Sequence, residues 1–582
     1  MIKKTVSAKW KLISTKKIKN KDELLEVLLK NRGINEKEKE VFLSPKDPYN
    51  LSPNDVGIKK TDIENAIERI KQAIKKKELV VVYGDYDADG ITGTALLWET
   101  LYSLGAKVMP FIPHREKHGY GLNKKGINDI LQAYRPIDLK TLIITVDNGI
   151  VAFEGAEYCR EKGIDLIISD HHQKKILNIK NQKSKLRTQK KYLLPKAEAV
   201  VWSDKICGSG VAWFLAKELY QTLKDKSLLG FKRSNTLELA AIGTITDMMP
   251  LVGINRSLVY FGLAELNRSR RTGIKALVNE AVLKDKELGT YEINFMLGPR
   301  LNAMGRMAEA LDSLRLLCTK DYNKAEKLAK KLGMTNVERQ NTTQDNLELA
   351  ISLVGKNKLY KNKVIFLAHE DFNAGVIGLV AGRLVEKYYR PAVMVAKMDG
   401  MGKGSVRSVK GVDIIKMLRC FDNYFVDLGG HPMAAGFNIE LKMLAKLQKE
   451  LALFAEKEID ENLLRPEIKI DCGLAPELLD WPLFSALEKL KPFGMGNPKP
   501  LFLAEKVNLA EFRRVGRDGK HLKIKFQVPG DRFQTIDGIA FGLGDMAAKL
   551  SLEKPVDVAY FLDKNEWNGA KTLQMRVRGI KG

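Results

Sequence analysis

The sequence predicts a multidomain α/β protein, with a parallel-sheet domain, a smaller α/β domain joined to it by a long helix, and a small C-terminal β-barrel. Three observations carry that prediction. Short apolar runs alternate with amphipathic helical segments in two separate regions, a long polar amphipathic segment lies between them, and the last stretch changes to strand-like segments punctuated by Gly and Pro. At 582 residues the chain is too long for one hydrophobic core, so about two to four domains are expected.

Residues 1–75 are charged and helix-like, broken at SPKDPYNLSPND (Ser44 to Asp55), where three prolines work against regular structure. They are expected to form a mantle on the domain that follows. Residues 76–320 hold the runs LVVVY (79–83), KVMPFI (107–112), TLIITV (141–146) and DLIIS (165–169), the pattern of a parallel sheet covered on both faces. Within them, the basic stretch 173–196, which includes KNQKSKLRTQKK, is expected to be a solvated surface loop. From about 207 the pattern is mainly helical, and 321–355 is expected to be a connecting helix. A second α/β pattern fills 356–460, with VIFLAH, a helix around 374–388 and AVMVAK after Pro391. In 461–582 the segments KVNLAEFRRV, HLKIKFQV, TIDGIAFGL, VDVAYFLD and TLQMRVRGI suggest the barrel. No internal repeat is evident.

Lys plus Arg number 97 against 71 Asp plus Glu, a formal charge of +26 that favours a polyanionic partner, with nucleic acid leading. The competing explanation is a Lys-rich surface with no such partner. The five cysteines stand singly, with no Cys-x-x-Cys pair to suggest zinc or a redox dithiol, and are expected to be reduced. No stretch reaches signal-peptide or membrane-span length, so a cytoplasmic location without membrane association is expected.

The chemistry concentrates at strand ends. In VVVYGDYDADG, Asp85, Asp87 and Asp89 alternate after a buried run, and clustered carboxylates repel unless a cation neutralises them. The spacing imitates an EF-hand loop, but its twelfth position is Leu96 rather than Glu and a strand precedes it. Two further runs end at Asp147 and at Asp170-His171-His172, and Asp247 follows in IGTITDMMPL. Singly, each has a structural explanation as a helix cap or a packed histidine. Together, mixed carboxylate and imidazole donors suit a pair of Mn²⁺ or Mg²⁺ ions, which can clamp the attacking and leaving oxygens of a phosphoryl displacement.

The order DYDADG, VDNG, SDHH and GTITDMMPL resembles the DHH phosphoesterases, named for a triplet that is Asp170-His171-His172 here. The resemblance implies that Asp87, Asp89, Asp147 and Asp247 are metal ligands, with Asp85, Asp170, His171 and His172 completing the site. It ranks His171 ahead of His172 as a direct ligand, and His172 would instead bind the scissile phosphate or protonate the leaving oxygen. A second group, DFNAGVIGLVAGRL (371–384), GKGSVRS (402–408) and LGGHPMAAGF (428–437), resembles the DHHA1 domain that accompanies the DHH domain. On that resemblance Ser405 and Arg407, with Arg115 of FIPHREKHGYG facing them across a cleft, would hold a terminal 5′-phosphate, and His431 would contact the nucleotide near the scissile bond. Arg300, Asn302 and Arg306 in LGPRLNAMGRM match a motif of the RecJ branch and would help to hold the strand.

Relatives with only the DHH and DHHA1 domains are much shorter. The additional C-terminal segment, read as an OB-like barrel, offers Phe512, Arg513, Arg514, His521, Lys523, Lys525 and Phe526 to a single strand. The resemblance therefore implies a metal-dependent exonuclease that digests single-stranded DNA from its 5′ end in repair and recombination. It implies a monomer, and possible partners in a single-stranded-DNA-binding protein and a helicase. Two alternatives stay open: a phosphodiesterase of short oligonucleotides or cyclic dinucleotides, and a non-catalytic DNA-binding scaffold. The chain departs from the family in its more basic segment after His172 and in VVWSDKICGSG, which replaces an Asn-Pro-containing stretch.

Overall fold

The computed structural model describes residues 9–134, 140–179, 189–224, 226–233, 236–528, 534–567 and 569–582. The chain divides into a larger unit of residues 17–336, 474–500 and 504–582, and a smaller unit of residues 1–16, 337–473 and 501–503.

The larger unit is built on a five-stranded parallel sheet, in spatial order Lys107–Phe111, Leu79–Gly84, Thr141–Val146, Asp165–Asp170 and Ala199–Trp202. Alternation along the strands splits their side chains between two cores. Val80, Val82, Leu142, Ile144 and Val146 join one with the Ala88–Ser103, Gly208–Leu223 and Leu237–Thr246 helices, while Leu79, Val81, Tyr83, Ile143 and Ile168 join the other with Lys124–Tyr134 and Phe153–Glu161. From the first strand, the chain runs to a neighbour on one side and then to a neighbour on the other. That reversal puts the carboxyl ends of Leu79–Gly84 and Thr141–Val146 at a topological switch point, the place where open α/β sheets hold ligands.

The N-terminal helices Lys21–Asn31 and Glu36–Leu43 begin on Asn20 and Asn35, whose side chains accept backbone N–H bonds of the first turn. The C-terminal strands run in spatial order Phe502–Val507, Val556–Trp567, Ala570–Lys581, Thr535–Ala540, His521–Gln527 and Leu509–Val515. Leu509–Val515 with His521–Gln527, His521–Gln527 with Thr535–Ala540, and Val556–Trp567 with Ala570–Lys581 pair antiparallel, whereas Thr535–Ala540 runs parallel to Ala570–Lys581. This agrees with the expected OB-like architecture. The segment read as the single strand KVNLAEFRRV divides at Asn508, after Lys506 enters the left-handed region at φ 51°.

In the smaller unit a five-stranded sheet has the order Phe425–His431, Ala434–Glu440, Met401–Arg407, Ala392–Met398 and Ile365–His369. Helices Ile377–Tyr388, Ile414–Arg419 and Leu441–Glu458 accompany it. The helix Tyr322–Lys356 has 35 residues, and the division between the units falls inside it.

Two expectations need correcting. Lys9–Leu12 is not helical mantle but a strand paired in parallel with Glu467–Ile470, a partner more than 400 residues away that local pattern cannot reveal. The basic stretch is not simply a loop, because Lys175–Ile179 and Gln189–Leu193 pair as antiparallel strands. Residues 180–188 of that stretch, and the basic N-terminus 1–8, lie outside the described residues. Among the described residues, no helix is long and apolar enough to cross a membrane.

The segment 489–498 is clamped to the larger unit by its carbonyls. Buried Arg256 donates to Phe42 O (2.7 Å), Leu490 O (2.9 Å) and Lys489 O (3.1 Å), Thr290 Oγ1 donates to Phe493 O (2.6 Å), and Arg32 Nη2 donates to Pro498 O (2.6 Å). Burial holds the Arg256 guanidinium down at about 10. Replacing Arg256 by Met removes the donor to Phe42 O and Lys489 O, while Leu490 O keeps Asn497 Nδ2 at 2.7 Å, and leaving buried acceptors unsatisfied costs about 1 to 3 kcal/mol each. Arg256→Met is expected to lower the calorimetric unfolding midpoint by about 2 to 6 °C. A midpoint unchanged within a degree would show that the clamp contributes nothing.

Candidate active site

Four loops at the switch point carry the acidic and imidazole side chains. Asp85, Asp87 and Asp89 follow the Leu79–Gly84 strand, where Asp87 caps the Ala88–Ser103 helix by accepting Asp89 N and Gly90 N at 3.0 Å each. Asp89, buried, accepts Gly208 N (2.7 Å) and Ser209 N (2.9 Å) at the start of the Gly208–Leu223 helix, a natural seat for an anion. Thus VVWSDKICGSG, the segment that departs from the family, supplies the N–H groups that hold Asp89.

Asp147 follows the Thr141–Val146 strand at φ 64°, a left-handed conformation that Asp tolerates better than most residues. Asn148 Nδ2 braces this turn by donating to Val146 O (2.9 Å) and Tyr83 O (3.2 Å). Asp170 ends the next strand and accepts Ile150 N (2.9 Å), His171 N (2.7 Å), His172 N (3.1 Å) and His172 Nδ1 (2.8 Å). Asp247 follows the Leu237–Thr246 helix. Two glycines permit this crowding: a Cβ on Gly208 would sit 2.5 Å from Asp147 Oδ1, and one on Gly243 would sit 2.3 Å from Asp89 Oδ1.

These side chains fall into three overlapping donor groups, each with its ligand atoms within 4.8 Å of one another: Asp85, Asp87 and Asp147; Asp89, His171 and Asp247; Asp147, His171 and His172. His171 Nε2 stands 3.1 Å from Asp147 Oδ1, 3.8 Å from Asp247 Oδ2 and 4.0 Å from Asp89 Oδ2. Asp85 Oδ1 and Asp147 Oδ1 are buried and accept no hydrogen bond. Such orphaned oxygens, in a donor set of oxygens and imidazole nitrogen without sulfur, fit hard divalent cations such as Mn²⁺ and Mg²⁺.

The electrostatics agree. Burial, reinforced by Asp87, raises Asp85 well above the usual carboxylate range, and burial with Asp89 does the same to Asp147. Burial and Asp89 push Asp247 up to about 8, and the same two causes raise Asp87. For Asp170, burial is opposed and outweighed by the His172 hydrogen bond and charge, so its carboxyl lies below the usual range. Burial lowers His171, keeping its imidazole neutral as a ligand must be. His172 also suffers burial, but Asp170 lifts it to about 9. Its Nε2 lies 3.3 Å from Tyr120 Oη, a neighbour that sequence reasoning missed.

The remaining expected residues are placed as follows. Asn302 Oδ1 accepts Ala88 N (2.8 Å), between Asp87 and Asp89, so it braces the acidic loop. Arg300 is committed to an ion pair with Glu280 and donates to Met296 O (2.8 Å). Arg306 is half-buried on the same helix, Gly298–Met307. The Arg115 guanidinium lies 5.7 Å from the Tyr86 ring centroid. In the smaller unit, Arg407 Nη1 donates to Ser405 Oγ (3.3 Å) and Val406 O (2.8 Å). A Cβ on Gly378 would lie 2.9 Å from Ser405 Oγ and 3.0 Å from Arg407 Nη2, so the bare glycine sets this pair against the start of the Ile377–Tyr388 helix. His431 ends the Phe425–His431 strand and is exposed.

Comparison with known proteins gives a consistent outcome. Residues 79–244 match the DHH family, N-terminal domain, residues 361–457 the DHHA1 domain, and residues 470–579 the RecJ OB domain. The single-stranded-DNA-specific exonuclease RecJ of Bacillus subtilis is 33% identical over 561 residues, covering 95% of this chain and 67% of that protein. RecJ of Escherichia coli is 31% identical, covering 89% of this chain and 90% of its own. Crystal structures of Thermus thermophilus RecJ superpose with a TM-score of 0.78 in complex with Mn²⁺ (30% identity, 99% of this chain and 80% of that one). The complex with Mg²⁺ gives 0.73 (29% identity, 99% and 78%).

Because the folded chain without ions holds protons on Asp85, Asp147 and Asp247 more tightly than the unfolded chain, these three groups contribute stability that is fully present at low pH. That stability is lost as pH rises through the raised values. Divalent ions reverse this by displacing the protons. The rise in unfolding temperature produced by saturating Mn²⁺ is therefore expected to be several degrees larger at about pH 8 than at about pH 5.5, measured by scanning fluorimetry. A shift independent of pH would remove the clustered carboxylates from ion binding.

Proposed function

The chain belongs to the RecJ family of single-stranded-DNA-specific exonucleases, and from that premise we propose that it hydrolyses single-stranded DNA from the 5′ end with two divalent ions. The observation that carries the catalytic reading is the overlap of three donor groups through Asp147 and His171 at the switch point of the parallel sheet. Asp85, Asp87 and Asp147 would hold one Mn²⁺ or Mg²⁺ ion and Asp89, His171 and Asp247 the other, and Asp147 Oδ1 lies 3.1 Å from His171 Nε2. When bound, the pair would supply Lewis-acid stabilisation of the attacking and leaving oxygens.

The chain's own groups do the remainder. His172 keeps its Nδ1 proton on Asp170 and turns Nε2 toward Tyr120 on the open side, so a protonated imidazole can bind the scissile phosphate or donate to the leaving oxygen. Asp170 acts through His172, fixing the ring and stabilising its charge. Asn302 and the Gly208 and Ser209 N–H groups orient the loop that carries Asp87 and Asp89. Ser405 and Arg407 would take the terminal 5′-phosphate, and Arg115, Arg306 and His431 would contact the strand. The ion pair of Arg300 with Glu280 favours a supporting role for that residue. A charge of +26 and the OB domain suit a long single strand as the substrate. A cytoplasmic monomer acting in DNA repair and recombination, with a single-stranded-DNA-binding protein and a helicase as partners, accords with this activity.

End-labelled single-stranded DNA with either end blocked, incubated with and without Mn²⁺, tests the reading. Digestion should require the ion, proceed with a blocked 3′ end and stop with a blocked 5′ end. In the same assay Asp147→Ala should reduce the rate at least about a thousandfold, since it removes a carboxylate of one donor group that also stands 3.1 Å from His171 of the other. A residue at that position with activity within tenfold of wild type would contradict the assignment.

A terminal phosphate with two charges gains more from a guanidinium and a hydroxyl than an internal phosphodiester with one. Arg407→Ala is expected to raise KM for 5′-phosphorylated strands by roughly tenfold to a hundredfold, the worth of one charge-assisted hydrogen bond of ~1.5 to 3 kcal/mol. The KM for 5′-hydroxyl strands should scarcely move. Equal losses on both substrates would place Arg407 elsewhere on the strand.

A further inference from the structure

We infer that Tyr291 and Phe295 form a base-stacking platform beside the catalytic cluster, which grips unpaired bases of the strand a few nucleotides from the scissile bond. The inference rests on the single-stranded-DNA reading above. Both rings are large and apolar, yet Tyr291 is 63% and Phe295 62% exposed, with Met248 beside them at 47%. Their centroids are 5.0 Å apart at an interplanar angle of 37°. Insertion of a base between them would need about 7 Å, twice the ~3.4 Å rise of stacked bases, so bases would lie on the outer faces of the pair.

The platform is anchored to two of the loops that bear the acidic ligands. The rings belong to a continuous helical run from Thr290 to Met307, interrupted by a π-turn at Ile293–Leu297. Such turns are frequent at functional sites. Asn294 Nδ2 donates to Met248 Sδ at 3.3 Å, next to Asp247. A Cβ on Gly298 would sit 2.6 Å from Thr246 Cγ2, and one on Gly305 would sit 2.4 Å from Tyr86 O. Asn302 holds Ala88 N, between Asp87 and Asp89. At ~1.5 Å per residue, Phe295 and Tyr291 stand about 10 and 16 Å along the helix from Asn302, a span of roughly three to five stacked nucleotides.

Exposed aromatic rings are the sequence-tolerant means by which proteins hold single strands, because every base has a π-face. Paired bases hide those faces in the duplex, so the same platform would favour unpaired over paired DNA. It would also make turnover depend on length, since a trinucleotide held at its 5′ end cannot reach it.

The test compares Tyr291→Ala/Phe295→Ala with the wild-type enzyme on 5′-phosphorylated oligothymidylates of three and about 20 nucleotides. The ratio of kcat/KM on the long strand to that on the short one is expected to fall about tenfold or more, and Phe295→Trp should preserve it. Placing abasic residues at the fourth to sixth positions of the long strand should lower the wild-type ratio by a similar factor and barely affect the double variant. An unmoved ratio, or abasic and aromatic losses that multiply, would overturn the platform, including in favour of a protein-docking role for the rings. A wild-type enzyme inert toward both lengths would overturn the exonuclease reading itself. Both rings are exposed, so unchanged circular dichroism in the variant guards against a folding artefact.

Discussion

Mutual repulsion among buried carboxylates is the constraint around which the larger unit is organised. Asp85, Asp89, Asp147 and Asp170 are each no more than 3% exposed, at the ends of adjacent strands or the turns that follow them. The fold answers that repulsion in two ways. Asp170 is satisfied internally, by three backbone N–H groups and the His172 ring. Asp85 and Asp147 are left with unsatisfied oxygens and raised affinities for protons, a condition that a divalent cation relieves. The architecture therefore separates carboxylates that hold other groups in place from carboxylates that wait for an ion.

That separation explains the strain and close contacts nearby. Asp147 in the left-handed region, Gly149 at φ 111°, and glycines 208 and 243 packed where no Cβ fits are all costs borne within a few residues of the cluster. They are tolerated because the surrounding helices Ala88–Ser103, Gly208–Leu223 and Leu237–Thr246 share one continuous core with the sheet. The two principal sources of rigidity, burial of the strands on both faces and hydrogen-bonded loop braces, thus act on the same few residues.

Much of this was legible in the sequence. Burial on both faces showed as unbroken apolar runs, and strand-end acids marked the site because a parallel sheet delivers its loops to one edge. What escaped were interactions that depend on partners far apart in the chain. The strand Lys9–Leu12 is too short and too charged to stand out until Glu467–Ile470 is beside it. Arg300 reads as a free cation for DNA, but Glu280 lies one helix earlier and pairs with it. Gly208 and Ser209 lie in a segment that departs from the family pattern, and their N–H groups prove to hold Asp89. The π-turn at Ile293–Leu297 leaves no compositional mark, so the exposure of Tyr291 and Phe295 could not be inferred from periodicity.

The same separation bears on how the enzyme can discriminate among nucleic acids. A carboxylate cluster by itself repels every polyanion, so each phosphate that approaches must be compensated by a cation of the site or a basic group of the protein. In the proposed role the Ser405–Arg407 pair would reward one kind of phosphate, a terminal one, because the hydroxyl and the guanidinium would engage its additional charge. An exposed aromatic pair can reward one kind of base, an unpaired one, because only that base offers a free face. Neither device reads sequence. On these two proposals substrate choice would be set by which end and which state of the strand can overcome the repulsion, and base identity would have little means of entering the energetics.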